Sequence, residues 1–140
     1  MELKRSTSEL KEAIISIGAI LNKHGNGRLY FGIKNDGSVV GQQIGQSTLR
    51  DVSTAISNHI EPRIHPKIQL KRIQNKQCIL VDFRSDDSPY FTYGRAYIRV
   101  ADEDKQISVK EIEMKLRYSK TGLKYIIPVD SLKTTRRRIS

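Results

Sequence analysis

Hydrophobic positions follow a helical period near the start of the chain and then change to alternation. Apolar residues from Leu10 to Leu21 recur three or four positions apart, which predicts a helix over residues 8–24. Gly25 is a typical helix stop, because glycine adopts a left-handed backbone at low cost. The next segment, RLYFGI at 28–33, places alternate apolar residues on one face and predicts a strand.

A tight turn is predicted directly after this strand. The residues Asn35, Asp36 and Gly37 form a typical hairpin sequence, since Asp-Gly adopts a positive φ easily. Val39 and Val40 are expected to begin the return strand of this hairpin.

The second half of the chain repeats the order of helix and strands. Apolar residues from Leu49 to Ile60 predict a second helix, which Pro62 is expected to end. Two strands joined by a polar turn are predicted at 66–73 and 77–83. The second of these strands is apolar on both faces, which is typical of a central strand.

A further strand is predicted at 95–100, and Ser108 with Glu111 predicts the capping box of a third helix. The inward positions of that helix would be Val109, Ile112 and Leu116. This succession predicts an α+β domain, with a mixed sheet of about five or six strands and two or three helices packed on it. The domain is expected to span 1–117, and a basic C-terminal extension 118–140, with a flexible tail over its last ten residues.

The net charge of the chain indicates which class of molecule it binds. The chain of 140 residues has a formal net charge of +10, and residues 118–140 hold six basic residues against one acidic residue. A basic body with a basic tail favours a polyanion, because phosphate contacts release condensed counterions. The alternative is a basic surface that serves solubility alone.

The glycines of KHGNGR, residues 23–28, raise the question of a phosphate-binding loop. In such loops the glycines follow a strand and open a helix, whose N-terminus faces the phosphate. Here they close a helix and open a strand, so we do not expect a phosphate-binding loop and favour a sharp turn out of the helix. Lys23, His24 and Arg28 are expected to form a small basic corner instead.

The predicted strand at 95–100 carries a second candidate surface. Arg95, Tyr97 and Arg99 share one face of that strand. Arginine binds phosphate through a fork of donors, and tyrosine offers a stacking surface. The alternative is a solvated strand face with long side chains.

The composition excludes several classes of site and of protein. The lone cysteine, Cys78, rules out an internal disulfide and a cysteine-rich zinc site, and is expected to be a buried thiol. The apolar runs are shorter than a membrane span requires. The N-terminus has no apolar core of a signal peptide, so we expect a cytoplasmic protein without membrane contact.

Four segments in order resemble one family. These are MELKRS, SIGAILNKHGNGRLYFGIKNDGSVVGQ, HIEPRI and SPYFTYGRAYIRVADED. They are similar to the Schlafen-type AlbA-like domain, which is often described as DNA-binding, and the resemblance covers about residues 2–117. It implies an Alba-like fold and contact with DNA or RNA.

The resemblance also implies a possible nuclease. Nuclease versions of this domain cut structured RNA such as tRNA with a metal ion, using two glutamates and an aspartate. Glu2 matches the second glutamate, the first would precede Met1, and the aspartate position falls nearest Asn35, with Asp36 beside it. Glu2 and Asp36 are therefore the candidate catalytic residues and the candidate ligands for Mg²⁺ or Mn²⁺. The alternatives are an ion pair of Glu2 with Lys4 and a turn role for Asp36.

Three functions follow as hypotheses. The first, which we favour, is a nucleic-acid-binding module with a possible regulatory role. The second is a metal-dependent endoribonuclease with an incomplete acidic site, and the third is a dimerisation or protein-interaction module that forms a homodimer. The candidate nucleic-acid-binding residues are Lys4, Arg5, Lys23, Arg28, Arg63, Arg95, Tyr97, Arg99, Arg136, Arg137 and Arg138.

Overall fold

The first long helix organises the fold because nearly every side of it is buried. The computed structural model describes residues 1–108, 110, 111 and 113. Within them, Met1–Ile107 form one compact unit, and the residues from Ser108 belong to a second. The helices are α1 (Leu10–His24) and α2 (Thr48–His59). The strands are β1 (Glu2–Lys4), β2 (Asn26–Phe31), β3 (Ile60–Glu61), β4 (Lys67–Ile73), β5 (Lys76–Arg84), β6 (Phe91–Thr92), β7 (Arg95–Val100) and β8 (Glu103–Gln106).

Helix α1 ends at Gly25, as the sequence predicts. Gly25 has a φ of 81° and donates its N–H to the carbonyl oxygen of Leu21 at 3.0 Å. The helix begins at Leu10, after a short 3₁₀ turn at Thr7–Glu9. The left-handed glycine turns the chain directly into β2.

The α+β class is confirmed, but the strands form two sheets where one was expected. The first sheet has the order β1-β2-β5-β4, with β1 parallel to β2 and the other pairs antiparallel. The second has the order β3-β6-β7-β8 and is antiparallel. Helix α1 packs against both sheets. Its buried residues lie on nearly all of its sides, and one sheet could cover only one side.

Close approach and a buried amide join α1 to the second sheet. A Cβ atom added at Gly18 would lie 2.5 Å from Cγ2 of Thr92, so only glycine fits there without movement. The buried Asn22 side chain donates to the carbonyl oxygens of Tyr90 and Tyr97, at 3.0 and 2.7 Å, and accepts from the Tyr90 N–H at 2.7 Å. These bonds satisfy backbone groups at the buried junction.

The predicted hairpin after β2 is wrong in its return strand. Gly37 has the expected positive φ of 91°, but Val39 makes a single bridge to Ile33. The physical reason is that β1 and β5 already occupy both edges of β2. The chain therefore bends towards β5, where Gln42 donates its N–H to the Gln77 carbonyl oxygen at 2.9 Å.

The remaining elements lie close to their predicted bounds. Helix α2 ends at His59, before Pro62, because Ile60 already pairs with Thr92 as part of β3. In the second unit, Ser108 and Glu111 form the predicted capping box through reciprocal bonds of 3.1–3.2 Å. The inward residues of the third helix, the segment 118–140 and the predicted boundary at 117 lie outside the described residues. Among the described residues, no helix has the length and apolar character needed to cross a membrane.

Candidate nucleic-acid interface

The two faces of the first sheet differ sharply in chemistry. The face that packs on α1 buries Leu29 and Phe31 of β2 with Val81 and Phe83 of β5. Alternation places the intervening residues on the opposite face, where Cys78 and Leu80 are buried and the residues around them are more exposed. Its exposed cations, which we name the basic face, are Arg28, Lys67, Lys71, Lys76 and Arg84.

The strand register brings Arg28, Lys67 and Arg84 together around Asp82, whereas Lys71 and Lys76 lie towards the other end of the sheet. Arg28 lies opposite Asp82, which in turn lies opposite Lys67. The Arg28 Nε atom is 3.6 Å from a carboxylate oxygen of Asp82, and both side chains are largely exposed. Such a pair contributes little stability. Asp82 thus offsets one of the five positive charges, and the face stays strongly basic.

The segment through β4 and most of β5 contains no acidic residue. Between Pro62 and Val81 there are five lysines and arginines and not one aspartate or glutamate. Lys67 and Lys71 lie on the same face of the edge strand β4, about 13 Å apart at the usual rise per residue. Charged edge strands also discourage pairing with other chains. This acid-free run was visible in the sequence and could have added the lysines to the predicted set.

The predicted trio on β7 does not form one solvent-facing surface. Arg95 is exposed, Tyr97 is half-buried, and the Arg99 side chain is only 13% exposed. Arg99 donates to Glu2 at 2.9 Å and to Asp104 at 2.7 Å. Its guanidinium is therefore occupied by carboxylates, which leaves Arg95 as the accessible one of the two arginines.

An ion-pair cluster surrounds Arg99. Lys4 Nζ lies 3.3 Å from the second carboxylate oxygen of Glu2, and Ser16 donates its hydroxyl to Asp104 at 2.6 Å. Burial alone would lower the pKa of Arg99, but the hydrogen bond to Glu2 and the charges of Asp104 and Glu2 raise it. The cluster links β1 to β7 and β8, and both oxygens of the Glu2 carboxylate contact a cation.

The second candidate acid occupies a turn. Asp36 accepts hydrogen bonds from the Ser38 hydroxyl and the Ser38 N–H, at 2.5 and 2.8 Å, which lower the pKa of its exposed carboxyl group. Glu2 lies beside Leu29 in the sheet register, whereas Asp36 follows the end of β2. Among the described residues, no group of three or more His, Cys, Asp or Glu side chains could hold a metal ion. Glu2 and Asp36, the residues that the resemblance suggested, thus belong to no such group in the described part of the chain.

The other predicted cations are dispersed. A cleft of about 370 Å³ is lined by Lys4, Arg5 and Lys34, and two acids in the same cleft, Glu9 and Asp36, offset part of their charge. Lys23, at the end of α1, and Arg63, before β4, are exposed. The predicted tail residues Arg136, Arg137 and Arg138 lie outside the described residues.

Comparisons with known proteins agree with this fold. A family model described as Schlafen, AlbA_2 matches residues 1–108. A protein of Corynebacterium diphtheriae, DIP2311, has a solved structure similar to this chain, with a TM-score of 0.68 at 16% identity over 85% of the chain. The present chain spans 28% of that protein.

A second solved structure is the N-terminal domain of a RecG-related protein from Nitrosomonas europaea, named for an ATP-dependent DNA helicase. Its TM-score is 0.52 at 22% identity, over 77% of this chain and 82% of that domain. At these identities the likeness shows the fold alone. No curated protein matches the sequence.

Proposed function

The protein belongs to the Schlafen, AlbA_2 family, and we propose that it binds nucleic acid through the basic face of its first sheet. The observation that carries this proposal is the presence of five exposed cations from three strands on one sheet face with one acid, Asp82, around which three of them are grouped. The helicase-related neighbour with the same fold supports a nucleic-acid partner.

Phosphate contacts would supply most of the affinity. Lysine and arginine side chains on a strand face are long enough to follow a phosphate backbone, and each contact releases condensed counterions. Such contacts position a protein without reading its partner's sequence. We therefore expect the protein to bind nucleic acids of different sequence. We also expect the logarithm of the binding constant to fall with the logarithm of salt concentration, with a slope of about 0.9 for each duplex phosphate neutralised.

The geometry favours binding over cleavage. Metal-assisted hydrolysis needs carboxylates that are free to hold the ion. Here Glu2 contacts Lys4 and Arg99, and Asp36 accepts from Ser38. A homodimer stays a prediction that the resemblance to the family suggested.

Charge removal tests the proposed surface. The variant Lys67→Gln with Lys71→Gln should weaken duplex binding and lower the salt slope by about 2, because two phosphate contacts are lost. The matched control is Arg50→Gln with Lys105→Gln, which removes two exposed charges outside the basic face. Affinity would be measured by fluorescence anisotropy across a salt series.

Each outcome bears on a different part of the proposal. Equal losses in the two variants would mean that total charge matters and the basic face does not. A wild-type protein that fails to bind either duplex or single-stranded nucleic acid at low salt would overturn the proposed function itself.

A further inference from the structure

The turn between β6 and β7 presents an aromatic side chain in a backbone conformation that such residues rarely adopt. Tyr93 has a φ of 52° and the following Gly94 a φ of 78°. A two-residue turn of this kind favours Asn-Gly, because asparagine tolerates the left-handed region. Tyrosine disfavours this positive φ, so the geometry of the turn does not explain why a tyrosine is found at this position.

The Tyr93 ring forms a flat stack at the surface. Its centroid lies 4.5 Å from that of His59, with 19° between the ring planes. The Tyr93 N–H also donates to the His59 carbonyl oxygen at 3.1 Å, which fixes the turn against the end of α2. The Tyr93 side chain remains 37% exposed and His59 is exposed too. We name this pair the aromatic platform.

One cation contacts the aromatic platform, a second lies nearby in the sequence, and one carboxylate, that of Glu12, acts on the Tyr93 phenol. The Lys11 ammonium lies 5.3 Å from the Tyr93 ring centroid, and the exposed Arg95 follows two residues later. Burial raises the pKa of Tyr93, and the charge of Glu12 adds to the rise. Both effects favour the neutral phenol over the phenolate.

We propose that the aromatic platform stacks an unpaired base of a single-stranded nucleic acid while Lys11 and Arg95 contact the adjoining phosphates. Proteins that bind single strands combine exposed rings with neighbouring cations in this way, since every base has a π-face. Lys11 is an exposed, flexible side chain, so it can leave the ring for a phosphate when a base arrives. Bases inside a duplex are already stacked and cannot offer a face. This inference rests on the proposed function and adds to it a preference for unpaired nucleotides.

The chain provides a direct reporter for this site. It contains no tryptophan, so Tyr93→Trp places one fluorophore on the platform of the full-length protein. A single-stranded oligonucleotide of mixed sequence should quench and saturate the tryptophan emission, because stacking brings the base onto the indole. The same oligonucleotide annealed as a duplex, and inorganic polyphosphate, should leave it nearly unchanged.

Affinity measurements on a second pair of variants complete the test. Tyr93→Asn suits the turn and removes the ring, so single-strand binding should weaken by about 5- to 150-fold and duplex binding by less than twofold. Tyr93→Phe keeps the ring and should bind like the wild type.

Failure of this inference is distinguishable from failure of the proposed function. Tight single-strand and duplex binding that Tyr93→Asn leaves unchanged, or tryptophan quenching by polyphosphate equal to that by the oligonucleotide, would overturn the stacking site alone. Absence of binding to both nucleic acids by the wild type would overturn both proposals.

Discussion

At the scale of single residues, Asn22 secures the junction between α1 and the second sheet. Its amide is buried, and its three hydrogen bonds reach Tyr90 and Tyr97 on separate segments. An apolar side chain at this position would leave those backbone groups without partners. A buried polar group without a partner costs its full desolvation free energy, so Asn22 contributes more to stability than the size of its side chain suggests.

Replacement of Asn22 by alanine should therefore destabilise the protein strongly. We expect the free energy of unfolding to fall by about 3 kcal/mol, because buried donors and acceptors lose their partners. Urea denaturation followed by circular dichroism measures this change. The control is Asn58→Ala, on the exposed side of α2, which should shift stability by less than about 0.5 kcal/mol. Equal effects of the two substitutions would contradict the role of Asn22.

The fate of Arg99 shows what alternation along a strand cannot predict. Its place on the same face as Arg95 follows from the sequence. Its partner Glu2 is 97 residues away in the chain, and the contact depends on how β1 meets the second sheet. The pairing of Glu2 with Lys4, by contrast, was a local alternative that the sequence already offered. Alternation placed Arg99 on the predicted surface, but its long-range ion pairs remove it from that surface.

At the scale of elements, α1 is built from small and apolar residues so that strands can approach it closely. Gly18 faces Thr92 of β6, and a Cβ atom added at Gly27 of β2 would lie 2.9 Å from Cγ2 of Ile20 in α1. The helical stripe and its glycine stop were predictable from sequence. The missing return strand was not, because nothing local shows that β5 takes the free edge of β2.

A methyl group at Gly18 should disturb this contact. We expect Gly18→Ala to lower the free energy of unfolding by about 1–3 kcal/mol, since overpacking outweighs the gain in helix propensity. Adding Thr92→Ser removes the Cγ2 atom that the new methyl group would meet, so the double variant should recover part of the loss. Thermal and urea unfolding of the two single variants and the double variant measure the coupling. Independent effects of the two substitutions would contradict the close approach.

At the scale of the whole molecule, charge composition predicts a kind of partner but no particular place on the surface. The net charge of +10 favours a polyanion wherever the cations lie. Finding the basic face required the register that sets Arg28, Asp82 and Lys67 side by side, and this register depends on the tertiary pairing of β2, β5 and β4. Family motifs in the sequence did predict the fold, which the family match over residues 1–108 confirms.

The central claim is that this protein binds nucleic acid and leaves it intact. The most direct measurement incubates labelled tRNA, single-stranded RNA and duplex DNA with the protein, in Mn²⁺ or in EDTA, and runs each sample on native and denaturing gels. We predict mobility shifts at low salt in both conditions, with full-length strands on the denaturing gel. The absence of any shift would contradict the claim, as would Mn²⁺-dependent fragments that disappear in Glu2→Gln.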